Sequence, residues 1–142
     1  MEVIATLDTP CAPDTLFELV CDLARYPEWL EIVPRAVSST PDADAPAWTV
    51  DLRGRLGPFA RSKRLRMVRS QYDEPKSVVF ERRERDGKSH SPWVLEAHVA
   101  ETNDGSRLRM RLYYGGGLWG PLVERLLRDE IEQSKPRLLA LL

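Results

Sequence analysis

Residues 93–114 run Trp93-Val94-Leu95-Glu96-Ala97-His98-Val99-Ala100, then Glu101-Thr102-Asn103-Asp104-Gly105-Ser106, then Arg107-Leu108-Arg109-Met110-Arg111-Leu112-Tyr113-Tyr114. Trp93, Leu95, Ala97 and Val99 fall on one side of a period-2 pattern, against Val94, Glu96, His98 and Ala100. Leu108, Met110, Leu112 and Tyr114 repeat it against Arg107, Arg109, Arg111 and Tyr113. Such alternation marks strands with one dry face and one wet face. Asn103-Asp104-Gly105 between the runs is hairpin turn chemistry. A sheet with one apolar face needs a cover on that face.

The cover lies just downstream. Gly115-Gly116-Gly117 breaks the strand, and Pro121 suits a helix start. Leu118, Leu122 and Leu126 recur at helical spacing, as do Trp119, Val123, Leu127 and Ile131. Glu124 with Arg128, Arg125 with Asp129, and Arg128 with Glu132 are spaced to pair on the wet side. The helix is expected to run to about residue 139, with Pro136 kinking it or ending it early.

Upstream, residues 2–9 alternate and predict a first strand, with Val3, Ala5 and Leu7 on one face. Leu16, Phe17, Leu19, Val20 and Leu23 predict an amphipathic helix over about 14–22. Pro27 then predicts two short helices meeting near Arg25 to Pro27. Residues 33–40 read as a strand and 41–46 as a turn. Trp48, Val50 and Leu52 alternate, with a turn expected over 54–58. A long strand over 59–72 places Leu65, Met67 and Arg69 on one face. After a turn at 73–76, Val78 and Phe80 lead a strand expected to end near Asp86-Gly87. About six consecutive strands joined by short turns should form an antiparallel meander.

The 142 residues suit one domain, taken as 1–142, able to bury a core without metal or disulfide staples. Apolar residues at 42% and charged residues at 30% exclude a disordered chain. A net charge of -1 argues against work driven by attraction to nucleic acid or anionic membrane. Cys11 and Cys21 fit no metal-ligand spacing and read as reduced thiols. The N-terminus lacks the basic start and apolar run of a signal peptide, and no stretch has the length of a membrane span. A cytoplasmic location is therefore expected.

Ala12-Pro13-Asp14-Thr15-Leu16-Phe17-Glu18-Leu19-Val20-Cys21-Asp22 leads into Tyr26-Pro27-Glu28-Trp29, and Gly115 to Pro121 leads into the last helix. With the order strand, two short helices, strand meander, long helix, the whole chain resembles the START-like, or SRPBCC, superfamily. The branch it looks most like is the polyketide cyclase/dehydrase and lipid-transport family. The resemblance implies an α+β helix-grip fold, a curved antiparallel sheet wrapped around a long C-terminal helix. It also implies a cavity between sheet and helix for a lipid, sterol, quinone or polyketide, and in some members cyclase or aromatase chemistry. These stretches report fold, and fold does not give function. No motif carries a catalytic residue over.

Several residues are candidates for that cavity. Trp48 and Trp93 face the apolar side, Trp119 opens the last helix, and Trp29 sits at the helix corner. By alternation Arg69 shares a face with Leu65 and Met67, and Arg82 shares one with Val78 and Phe80. A buried Arg needs a partner, and a ligand oxygen would serve; the alternative is an edge position from which both snorkel to water. The candidate ligand-binding set is Trp29, Trp48, Met67, Arg69, Phe80, Arg82, Trp93, Leu95, Leu112, Tyr114, Trp119, Leu122 and Leu126, with Tyr114 as a polar handle.

Other features read as surface. Arg53, Arg55, Arg61, Lys63, Arg64, Arg66 and Arg69 form a basic stretch. It reads as a solvated strand face, with Glu81, Glu84 and Glu96 as cross-strand partners, rather than a nucleic-acid groove. Glu96 and His98 share the wet face, and neither they nor His90 suggest a metal site. The expected function is binding of a hydrophobic small molecule, with no metal and no cofactor. A polyketide cyclase or dehydratase is the second reading, and a regulatory protein using the basic face the third. No nucleic-acid partner and no membrane insertion are expected, while an open sheet edge offers a route to a homodimer.

Overall fold

Hairpin chemistry at residues 102–105 sets the register of the sheet. Thr102 pairs with Gly105, Leu95 with Leu112, and Trp93 with Tyr114. The computed structural model describes the backbone of residues 1–56, 59–115 and 120–142, and the side chains of all residues except 55–61 and 116–122. Its strands are β1 (Glu2–Thr9), β2 (Arg35–Asp42), β3 (Ala45–Leu56), β4 (Phe59–Asp73), β5 (Ser77–Arg82), β6 (Trp93–Thr102) and β7 (Gly105–Tyr114). They form one curved antiparallel sheet in the order β1-β7-β6-β5-β4-β3-β2. The helices are α1 (Pro13–Val20), a 3-10 helix (Leu23–Glu28) and α2 (Gly120–Ala140). This is the helix-grip arrangement that the resemblance implies.

Local chemistry explains where boundaries differ from expectation. The two short helices meet at Cys21-Asp22, not at Arg25 to Pro27, because the Asp22 carboxylate accepts from Ala24 N at 2.9 Å and starts the 3-10 helix. Pro27 lies within that helix. The turns around it close through Arg25 N to Asp22 O at 3.1 Å and Trp29 N to Tyr26 O at 3.1 Å. Strands β2 and β3 run closer together than the 41–46 turn suggested. Pro41 is tolerated on edge strand β2, and Pro46 falls where the register slips between Ser39 and Asp42.

Strand β5 ends at Arg82, short of Asp86-Gly87. Beyond it the Glu84 side chain, rather than the strand backbone, reaches Arg66 N at 3.0 Å. Helix α2 continues past Pro136 to Ala140. Of the three expected ion pairs along it, Glu124–Arg128 forms at 2.8 Å, whereas Glu132 pairs with Lys135 at 2.7 Å.

Two glycines allow close approach. A side chain at Gly105, whose φ is +151°, would collide with the backbone of Thr9 and Pro10. Gly54 belongs to β3 rather than to a turn, and a Cβ there would lie 2.7 Å from Leu126 Cδ2. Its bareness lets α2 approach the sheet.

The concave face is divided between two covers. Helix α1 packs on β6 and β7, while α2 packs on β1 and β3. Under α1 lie Leu16, Phe17, Val20, Val78 and Phe80, each no more than 1% exposed. Tyr26 is equally buried and donates from its hydroxyl to Val20 O at 2.9 Å, tying the 3-10 helix to the end of α1.

Candidate functional site

An apolar cavity of about 110 Å³ lies between the sheet and α2. The strands supply Val3 and Ala5 of β1, Val50 and Leu52 of β3, Leu65 and Met67 of β4, Trp93 and Leu95 of β6, and Met110 and Leu112 of β7. Each pair is two residues apart, as expected when one face of a strand lines a space. Helix α2 adds Leu127, Ile131 and Ser134, which follow helical spacing. Leu23, Tyr26, Trp29, Leu30, Ile32 and Val33 close the remaining side.

The polar groups in this wall are mostly satisfied by the protein itself. Besides the Tyr26 hydroxyl, Trp29 Nε1 donates to Leu19 O at 3.4 Å and Ser134 Oγ to Ile131 O at 2.6 Å. Burial pushes the Tyr26 phenol far above its ordinary value, so it stays protonated. Trp93 is the exception, because its indole Nε1 is buried and has no hydrogen-bond partner among the described residues. The described lining residues include no carboxylate, imidazole or thiol. Such a space can hold a short apolar chain; a ring requires the wall to yield, since benzene occupies a cavity of about 150 Å³ in an engineered protein.

Of the residues selected from sequence, Trp29, Met67, Trp93, Leu95 and Leu112 are brought together around this cavity. Trp48 and Phe80 are not in its wall. Their rings meet edge to face, with centroids 5.5 Å apart, and Tyr26 packs against Phe80 at 6.3 Å. Both belong to the core. Leu126 lies against Gly54. Trp119 falls outside the described residues, as does the Leu122 side chain.

The two arginines are held by protein groups instead of facing the cavity. Arg69 Nη1 donates to Cys21 O at 3.0 Å, at the C-terminus of α1, and its guanidinium lies 4.1 Å from the Tyr72 ring centroid. Arg82, whose side chain is 8% exposed, pairs with Glu84 at 3.0 Å and donates to Ser91 O at 3.2 Å. The snorkelling alternative fails for Arg82 as well. Tyr114 stacks on Trp93 at 5.2 Å, and its hydroxyl reaches only Met1 Sδ at 3.7 Å, so it supports the wall from behind.

Sequence reasoning passed over much of the lining. Val3 and Ala5 were legible as the dry face of β1, but nothing in that pattern separates a cavity wall from filled core. On α2 the inward stripe is Leu127 and Ile131, from the Trp119 series, continued by Ser134.

Three residues of the basic stretch, Arg64, Arg66 and Arg69, are engaged by the protein. Arg64 binds Asp51 at 2.7 Å, and Arg66 donates to Thr40 O at 2.8 Å and Arg83 O at 2.9 Å. The glutamates expected to neutralise it have other side-chain partners: Glu81 pairs with Arg83, Glu84 with Arg82 and Glu96 with Arg111. Early departure of the chain after β5 moves Glu84 out of strand register. Among the described residues, no group of three or more His, Cys, Asp or Glu could hold a metal ion, and no helix is long and apolar enough to cross a membrane.

Comparison with known proteins covers nearly the whole molecule. An uncharacterised protein of Mycobacterium tuberculosis is 28% identical over 131 residues, which span 89% of this chain and 88% of that one. Among solved structures, a START superfamily protein from Mycobacterium smegmatis superposes with a TM-score of 0.73 at 15% identity, covering 98% of this chain and 94% of that one. The di-domain ARO/CYC StfQ from the steffimycin biosynthetic pathway gives 0.66 at 16% identity, over 99% of this chain and 48% of that one. At such identities these structures speak for the fold alone. The family model described as polyketide cyclase / dehydrase and lipid transport matches residues 2–141. The chain belongs to that family.

Proposed function

We propose that this protein binds a hydrophobic small molecule, of lipid, quinone or polyketide-like character, between its sheet and α2. The observation that carries the reading is an apolar cavity whose wall groups, apart from one indole N–H, are apolar or already hydrogen-bonded to backbone. Burial of apolar ligand surface, at about 25 cal/mol per Å², supplies the driving force. The same lining ranks binding above catalysis, because a cyclase or dehydratase needs a group to move a proton. A regulatory role for the basic face ranks lower again, since Arg64 and Arg66 have partners within the protein.

Native mass spectrometry of the purified protein, followed by analysis of its organic extract, tests this. The expected result is an apolar molecule that co-purifies and is lost in Ala5→Leu, which puts a bulkier side chain into the cavity. A bare protein that also takes up no added apolar compound would contradict it.

A further inference from the structure

Four positions of β4, residues 63, 65, 67 and 69, share one side of the strand, and only the middle two are apolar. Arg69 is bound to Cys21 O. Arg82, paired in register with Met67, is bound to Glu84. Lys63, an exposed residue, is the third cation on this side. It lies opposite Leu52, a cavity-lining residue, and its Nζ is 5.7 Å from the centroid of the Trp93 ring.

Lys63 has no ion-pair partner among the described residues. Residues 55–61 and 116–122, whose side chains are not described, include no Asp or Glu. Lys63 also borders an outer groove with Asp51, but that carboxylate is engaged by Arg64 at 2.7 Å. Leu52 lines both the groove and the cavity, so Lys63 stands where the two adjoin. The Trp93 ring beside it lines the cavity.

We propose that Lys63, at the edge of this cavity, makes it selective for an amphipathic anion, whose apolar part enters the apolar space while its carboxylate meets Lys63. The inference rests on the binding reading above and adds the chemical class of ligand. Partial burial, and next the charge of Arg82, hold the Lys63 ammonium below its ordinary value, with Glu84 opposing. A cation so placed gains from an anion arriving beside it. Because Lys63 is exposed, solvent screens the pair, and it is worth about threefold in affinity.

Isothermal titration calorimetry with 4-phenylbutyrate and 4-phenylbutan-1-ol, matched in size and differing in charge, tests the proposal. The parent should bind the carboxylate about threefold more tightly than the alcohol. Lys63→Met should remove that preference and leave alcohol affinity unchanged, while Lys63→Arg should retain it. Equal affinities for both probes, unaltered by Lys63→Met, would overturn the anion assignment and leave the apolar cavity standing. Equal loss of both probes in Lys63→Met would also overturn it, by making Lys63 a packing residue. No binding of either probe would overturn the binding reading and this inference together.

Discussion

The two halves of the concave face are built from the same alternating strands and differ in what covers them. Under α1, Leu16, Phe17 and Val20 are buried, beside Phe80 and Trp48, whose rings meet edge to face, and Arg69 is tied to the end of α1. Under α2, Leu95, Met110 and Leu112 remain only partly buried around a cavity, and Lys63 has no ion-pair partner among the described residues. One half is a packed core, and the other, the proposed receptacle, encloses a cavity. Alternation sets which face a side chain is on, while depth depends on how closely the covering helix approaches.

The difference is open to direct challenge by substitution. Phe80→Ala, in the filled half, should destabilise the fold by about 3–5 kcal/mol in urea titration, since a buried ring leaves a void. Leu112→Ala, beside an existing space, should cost about 2 kcal/mol, at the lower end for such truncations. Equal costs would erase the distinction. Arg69→Met should cost about 1–2 kcal/mol, from loss of a charged hydrogen bond and a cation–π contact, without changing ligand affinity. Altered affinity would return Arg69 to the receptacle.

A smaller effect concerns pH. Asp42 is held below its ordinary carboxylate range, first by the hydrogen bond from Arg85 and then by the nearby charges of Arg66 and Arg83. Because its folded value is depressed, the stability it contributes is present above about pH 4 and is lost as pH falls through the folded value. Asp42→Asn should therefore flatten the acid side of the stability profile and leave ligand binding unchanged. An unchanged acid limb would remove Asp42 from the account. Lys63→Met should show the smallest change, with no loss of stability at neutral pH, because an exposed cation without an ion-pair partner among the described residues does not hold the fold together.

Much of the fold was legible because residues 93–114 and the α2 stripe each keep one period throughout. The 3-10 helix was misplaced because Pro27 drew attention from Asp22, whose cap sets the boundary. The site was less legible. Trp48 and Trp93 have the same parity in their strands, yet only Trp93 lines the cavity. Lys63, Arg69 and Arg82 are likewise equivalent by alternation. Arg69 finds its partner 48 residues away in sequence, at Cys21. Arg82 finds Glu84 only because β5 stops early. Both events depend on tertiary structure, and they left Lys63, first read as part of a solvated basic face, as the cation without a described ion-pair partner.

The most direct measurement is a ¹⁵N-resolved NMR titration of the tryptophan indole N–H signals with 4-phenylbutyrate. Trp93 and Trp29 should shift progressively, Trp93 the more because it lines the cavity beside Lys63, while Trp48 should stay in place. Movement of Trp48 with Trp93 unmoved would put the ligand in the filled half and contradict the account, as would a titration in which none of the three responds.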